Sequence, residues 1–338
     1  MSIFSFNAVI QRMPKAFLIT LLMIAFVESA IVYFDNVLYW DFWNGIMGKV
    51  KNEFSMMPGS HFDVLTFGDC YNQTGIFPEV FDHQTNLNSF NFSTDASRTV
   101  VSSYVMLKNY LKVNKPPKYI FIGFLPAVWT EKKTEVIRNS LWILSDFKKH
   151  NVKLFIKEFG LINTAKLFVP SLKHQDFWKK ISLSEILFGV RYKEEIEEDV
   201  VGCLFRYRGA LSPWGNAVNV VAPPNLEKCG TLTVSSFFKK YLEAILKLCQ
   251  KSGIRVFYIM PAIPFEWADL TERCHDNDEI KDYLNSLKRE YANLKILEPQ
   301  EILKENKWYY NAQHLNYRGA VRLSSWLADV VRQENNNF

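Results

Sequence analysis

The sequence lacks what would assign it at sight to several classes. There is no Gly/Ser tract, no repeat at a fixed period and no long block of one charge, which excludes linkers, solenoids and charged tails. There is no Lys/Arg cluster, and a net charge of +5 over 338 residues is mild, so nucleic acid is not an expected partner. Cysteine is scarce and odd in number, Cys70, Cys203, Cys229, Cys249 and Cys274, so not all can pair within one chain. Cys203 and Cys229 flank a turn-rich stretch and are the expected disulfide; Cys249 lies on an apolar helix and reads as core. No zinc-ligand spacing occurs. Glu272, Cys274, His275, Asp276 and Asp278 crowd one loop, which reads as solvated rather than metal-binding.

What is present is an ordinary globular composition, 48% hydrophobic and 22% charged, with aromatics at 15%, enough for a ring-rich core or a carbohydrate surface. One long apolar run breaks the pattern. Residues 16–34 hold a single charge, Glu28. About twenty helical residues cross a hydrocarbon core of about 30 Å. Arg12 and Lys15 precede the run and Asp35 and Asp41 follow it, so the positive-inside rule puts residues 1–15 in the cytoplasm and the rest of the chain outside. Tyr33, Tyr39, Trp40 and Trp43 fit an interfacial belt. A cleaved signal peptide is the competing reading, but a cut after Ala30 would need a small residue where Glu28 stands. A buried helix is the third.

Residues 35–60 read as a juxtamembrane stem, and residues 61–332 as one domain. Val64–Phe67 is a short apolar strand ending in a turn at Gly68-Asp69-Cys70; helical spacing covers 97–112; Tyr119–Phe124 is a buried strand. Residues 131–235 read as an insertion or cap, with helical stretches at 136–147, 152–167 and 182–188. Trp129, Trp178 and Trp214, in or beside it, form either a glycan-binding face or ordinary core. Regularity returns with a helix from about Val234 capped at Gly253, a strand at 254–260, a helix at 278–291, a strand at 294–297, a loop at 309–316 and an amphipathic helix at 319–332. Strands alternating with crossover-length helices predict an α/β domain with a parallel sheet covered on both faces.

Two motifs carry chemistry. Phe67-Gly68-Asp69-Cys70-Tyr71-Asn72 places a thiol at the carboxyl end of the first strand, where ligands of open α/β sheets bind. Asn311-Ala312-Gln313-His314-Leu315-Asn316-Tyr317-Arg318-Gly319 places a histidine before the last helix, three residues after an amide able to orient it. A buried structural cysteine and a structural histidine are the alternatives for each alone. Asn72-Gln73-Thr74 and Asn91-Phe92-Ser93 match the glycosylation pattern but lie beside this site and are set aside.

Together the motifs resemble the SGNH-hydrolase superfamily, with Gly68-Asp69-Cys70 at its Gly-Asp-Ser turn and Asn311-Ala312-Gln313-His314 at its Asp-x-x-His motif. Leu315-Asn316-x-x-Gly319, Phe124-Leu125-Pro126 and Tyr258-Ile259-Met260-Pro261 look like the membrane-anchored branch acting in cell-envelope acylation, that of alginate O-acetylation and teichoic-acid D-alanylation. The resemblance spans about 60–332, with 131–235 poorly matched. It implies an SGNH-like (flavodoxin-like) three-layer domain with a central parallel sheet, preceded by one transmembrane helix. It also implies an acyltransferase or esterase acting on an exported polysaccharide or other envelope polymer. A multipass membrane acyltransferase would be its partner, and no metal or organic cofactor would be required. Cys70 stands at the serine position as nucleophile, His314 as base and then acid, and Asn311 at the aspartate position. The pattern departs where Leu125 replaces an oxyanion-hole asparagine, and the oxyanion-hole glycine would fall within 91–97. Cys-His-Asn is coherent, because a thiolate–imidazolium pair needs no third charge. A non-catalytic glycan-binding or scaffold module, both positions having drifted, is the alternative, and a receptor-like membrane protein a third.

Overall fold

The computed structural model describes residues 44–94, 100–130, 148–166, 233–262, 278–311 and 314–336. It also describes single positions at 15, 17, 19, 20, 22–26, 29, 132, 133, 208, 210 and 264. The chain order is α1 (Asn44–Ser55), β1 (Val64–Gly68), α2 (Cys70–Gly75), α3 (Pro78–Thr85), β2 (Ser89–Asn91), α4 (Val100–Val113), β3 (Tyr119–Gly123), α5 (Pro126–Trp129) and α6 (Lys148–Lys166). It continues with α7 (Ser236–Lys251), β4 (Arg255–Ile259), α8 (Asp278–Glu290), β5 (Leu294–Leu297), α9 (Gln300–Leu303), a 3₁₀ turn at Asn306–Trp308, β6 (Tyr309–Asn311), β7 (His314–Leu315) and α10 (Tyr317–Asn336).

The first five strands form one parallel sheet in the order β2-β1-β3-β4-β5. β1 and β3 are buried along their whole length, as continuous apolar runs in a sheet covered on both faces must be. Alternate strand residues serve two cores. Leu65, Phe67, Ile120, Ile122, Val256 and Tyr258 pack with α4, α7 and α8 on one face. Val64, Phe121, Phe257 and Ile259 pack with α3 and α10 on the other. The molecule is therefore an α/β domain of three layers around a central parallel sheet, as the alternation of elements predicted.

Sequence and structure part company at short or polar elements. β2 is three residues long, and β6–β7 is a small antiparallel pair within the stretch read as loop. α1 occupies part of 35–60 and is built into the domain: Phe54 lies 4.7 Å from Phe90, ring to ring, and Lys51, Asn52 and Ser55 are fully buried beneath it.

In the apolar N-terminal run, Phe17, Ile19, Leu22, Met23, Ile24 and Phe26 are helical and exposed. Among the described residues no helix is long and apolar enough to cross a membrane; most of 16–34 with its flanks lies outside them. Cys203, Cys229, Cys274, Trp178 and Trp214 also lie outside the described residues. Of the described parts of the insertion, α6 packs Phe155 and Phe159 into the core, and Ala210 is buried. Trp129 is core: it is buried, and its Nε1 donates to Tyr258 Oη at 3.0 Å. Cys249 is buried as expected, and burial pushes its thiol pKa up.

Candidate active site at the ends of β1 and β3

In the strand order 2-1-3-4-5 the direction of winding reverses between β1 and β3, and the crevice outside their carboxyl ends is where such sheets bind ligands. The Gly-Asp-Cys turn sits there. Gly68 pairs with Gly123 across the two strands and has φ of +143°. A Cβ on it would stand 2.1 Å from the Gly123 carbonyl oxygen, so no other residue fits without moving β3.

Asp69 follows as the N-cap of α2. Its Oδ1 accepts from the Tyr71 N–H at 3.0 Å, and its Oδ2 accepts from the Leu125 N–H at 2.6 Å. The carboxylate is 2% exposed and straps the turn after β1 to the turn after β3. Tyr71 adds a strap to the next strand, its hydroxyl accepting from the Ala262 N–H at 3.1 Å just beyond β4. Cys70, the first residue of α2, is held between these straps and carries a half-buried thiol.

The segment after β2 closes the same end. Asn91 donates through Nδ2 to the carbonyls of Asn72 and Ile76, both at 2.9 Å, and accepts from the Ser93 N–H. Thr94 N–H donates to the Gly68 carbonyl at 3.2 Å. Asn72 donates through Nδ2 to the Phe67 carbonyl at 2.9 Å. Asn72 and Asn91 are both fully buried, which rules them out as glycan acceptors in the folded protein. Lys51, reaching in from α1, donates to the Ser93 carbonyl, and burial holds its amine pKa well below the usual lysine value.

His314 begins β7, paired with Asn311 of β6. Asn311 Oδ1 lies 2.9 Å from the His314 backbone nitrogen and 3.0 Å from its Nδ1. The backbone N–H is a donor, so the amide atom facing it is the oxygen. The ring nitrogen facing that oxygen then carries the proton, and Nε2 is left as the basic nitrogen. The residues downstream hold this hairpin. Asn316 accepts from the Gly319 N–H at 3.0 Å at the start of α10 and donates to the Lys307 carbonyl at 2.8 Å. Gly319 is required because a Cβ there would stand 2.1 Å from the Trp308 carbonyl oxygen. Leu-Asn-x-x-Gly is thus a structural clasp beneath the histidine.

α2 packs directly against β7, with Gly75 against Leu315, so the helix begun by Cys70 and the strand begun by His314 are neighbours. The Leu125 N–H is already committed to Asp69, and residues 95–97, within the stretch expected to hold the oxyanion-hole glycine, lie outside the described residues. No group of three or more His, Cys, Asp or Glu placed to hold a metal occurs among the described residues. The sequence motif includes Asp69 and Tyr71 without giving either a role, and Lys51 was missed. The preference for Asp at helix N-caps was the available signal for Asp69; a lysine in a polar stretch gave none for Lys51. No protein-family model matches the chain, and no curated protein matches it.

Proposed function

We propose that the chain is an extracytoplasmic acyltransferase or esterase of SGNH type, acting on an exported envelope glycan through Cys70, His314 and Asn311. The observation that carries the reading is Asn311 Oδ1 against Nδ1 of His314 at 3.0 Å, on a strand packed against the helix that Cys70 begins. The strand order and the position of Cys70 at the β1/β3 reversal support it.

Cys70 Sγ attacks the acyl carbonyl and a C–S bond forms. The bond to the donor's leaving oxygen breaks, and that oxygen takes the proton His314 Nε2 received from the thiol. A glycan hydroxyl, or water, then attacks the thioester. His314 takes the incoming proton and returns it to the departing sulfur. Asn311 keeps the ring in the tautomer this exchange needs. By resemblance, the N-terminal run anchors the protein with its domain outside, and a multipass membrane acyltransferase supplies the acyl group.

A second reading is a non-catalytic SGNH-like module that binds glycan or organises an envelope assembly. It is favoured by the engagement of the Leu125 N–H by Asp69 and of the Asn91 amide by Asn72 and Ile76, which commits these groups to the fold.

The test is intact mass of the full chain in mild detergent after exposure to an activated acetyl ester. One acetyl per chain, released by hydroxylamine, absent in Cys70→Ala and slowed in His314→Ala, is the expected result. No adduct on a folded chain with a titratable Cys70 thiol favours the binding module.

A further inference from the structure

α6 combines a face fixed in the core with a face of unusual composition. Phe155 and Phe159 are buried, the latter against Phe237 of α7, so the helix is held on the domain. Exposed on the same segment are Ile156 before Gly160 and Leu161 and Ile162 after it, by 39%, 68% and 77%, together with exposed Lys153 and Lys157. The one carboxylate of this helix, Glu158, is buried and bonded to Lys240 and to the Tyr241 hydroxyl. Neither Lys153 nor Lys157 is in an ion pair among the described residues. At Gly160 the helical path breaks (φ +80°, ψ +163°), and Leu161 and Ile162 stand directly after the break.

We infer that this face docks on an anionic bilayer surface. Exposed apolar side chains with lysines beside them and no exposed carboxylate on the helix are the composition of interfacial helices, which sink their apolar groups to the headgroup boundary while the ammonium groups meet anionic lipid. Tether length supplies the second argument. If 16–34 spans the membrane, residues 35–43 separate it from α1, about 30 Å at full extension. With that anchor the domain that α1 is packed into is held at the bilayer surface, within reach of such a contact. The inference rests on the proposed N-terminal anchor and not on the acyl-transfer reading.

The test is hydrogen exchange of the full chain in nanodiscs of phosphatidylcholine alone and of phosphatidylcholine with phosphatidylglycerol. Leu161 and Ile162 carry the apolar side chains of the proposed contact, so the amides just after Gly160 report docking most directly. Their exchange is expected to slow about tenfold or more in the anionic discs, and high salt is expected to reverse it. The protection is expected to vanish in Leu161→Glu/Ile162→Glu and to weaken in Lys153→Gln/Lys157→Gln, with exchange in β1 and β3 unchanged. Equal exchange in the two kinds of disc, or protection kept in the double glutamate variant, overturns the inference.

Discussion

Asp69→Asn isolates the bond that joins the two strand ends under the site. Both carboxylate oxygens accept from backbone N–H groups, Tyr71 at 3.0 Å and Leu125 at 2.6 Å. An asparagine keeps the shape but offers one oxygen, so one buried N–H must face an NH₂ group. Replacing a charged acceptor costs about 1.5–3 kcal/mol, and a buried donor left unsatisfied costs about 1–3 kcal/mol. A net loss of about 3 kcal/mol is expected, a large part of the stability of an ordinary domain. In urea unfolding of the full chain in mild detergent, with a slope of about 3 kcal/mol/M, the midpoint falls by about 1 M. The Leu125 amide should also exchange faster than in the wild type while the β4–β5 amides do not. A midpoint shift below about 0.3 M with an unchanged slope would refute the view that Asp69 holds the turn.

Further expectations follow from neighbouring contacts. Gly319→Ala puts a methyl 2.1 Å from the Trp308 carbonyl and is expected to lower stability by about 2 kcal/mol or more, read by the same unfolding. Tyr71→Phe leaves the buried Ala262 N–H without its acceptor and is expected to cost about 1–2 kcal/mol. Lys51 has a folded pKa below its unfolded value, so the unfolded chain binds more protons in the window between them. Its contribution to stability therefore rises with pH up to about 10.4 and is lost as pH falls, by as much as about 1.4 kcal/mol per unit. The stability of wild type minus Lys51→Met, followed from pH 7 upward, should show that slope; a flat difference would contradict it. Asn311→Ala is expected to slow acyl-adduct formation about tenfold or more while leaving the unfolding midpoint within about 0.3 M.

The elements legible in the sequence are those whose inward face is apolar. β3, β4 and β5 were expected at 119–124, 254–260 and 294–297, and fall at Tyr119–Gly123, Arg255–Ile259 and Leu294–Leu297. The helix expected from about Val234 to Gly253 is α7, whose Phe237, Tyr241 and Ile245 fill the core, and Gly253 beyond it has φ of +68°. α1 was illegible because its buried side includes Lys51, Asn52 and Ser55, polar groups that periodicity assigns to solvent. β2 and β6–β7 are too short to carry a period, and their places are fixed by neighbours: β2 by β1, and the hairpin by Asn316 and α10. At the site, the residue types and spacing pointed to Asn311 beside His314, and the structure places them in contact. The N-cap role of Asp69 is local, but its bond to Leu125 and the contacts of Tyr71 and Asn91 join residues distant along the chain, which no local pattern reveals.

The most direct test of a Cys70–His314 pair needs no substrate. The rate of alkylation of Cys70 by iodoacetamide, resolved by peptide mass at mildly acidic pH, is compared in the wild type and His314→Ala. Buried Cys249 serves as the internal standard. A histidine paired with the thiol keeps it as thiolate, so Cys70 in the wild type should react about tenfold or more faster than in the variant, with Cys249 slow in both. Equal rates at Cys70 in two folded proteins would contradict the pair, and with it the covalent mechanism.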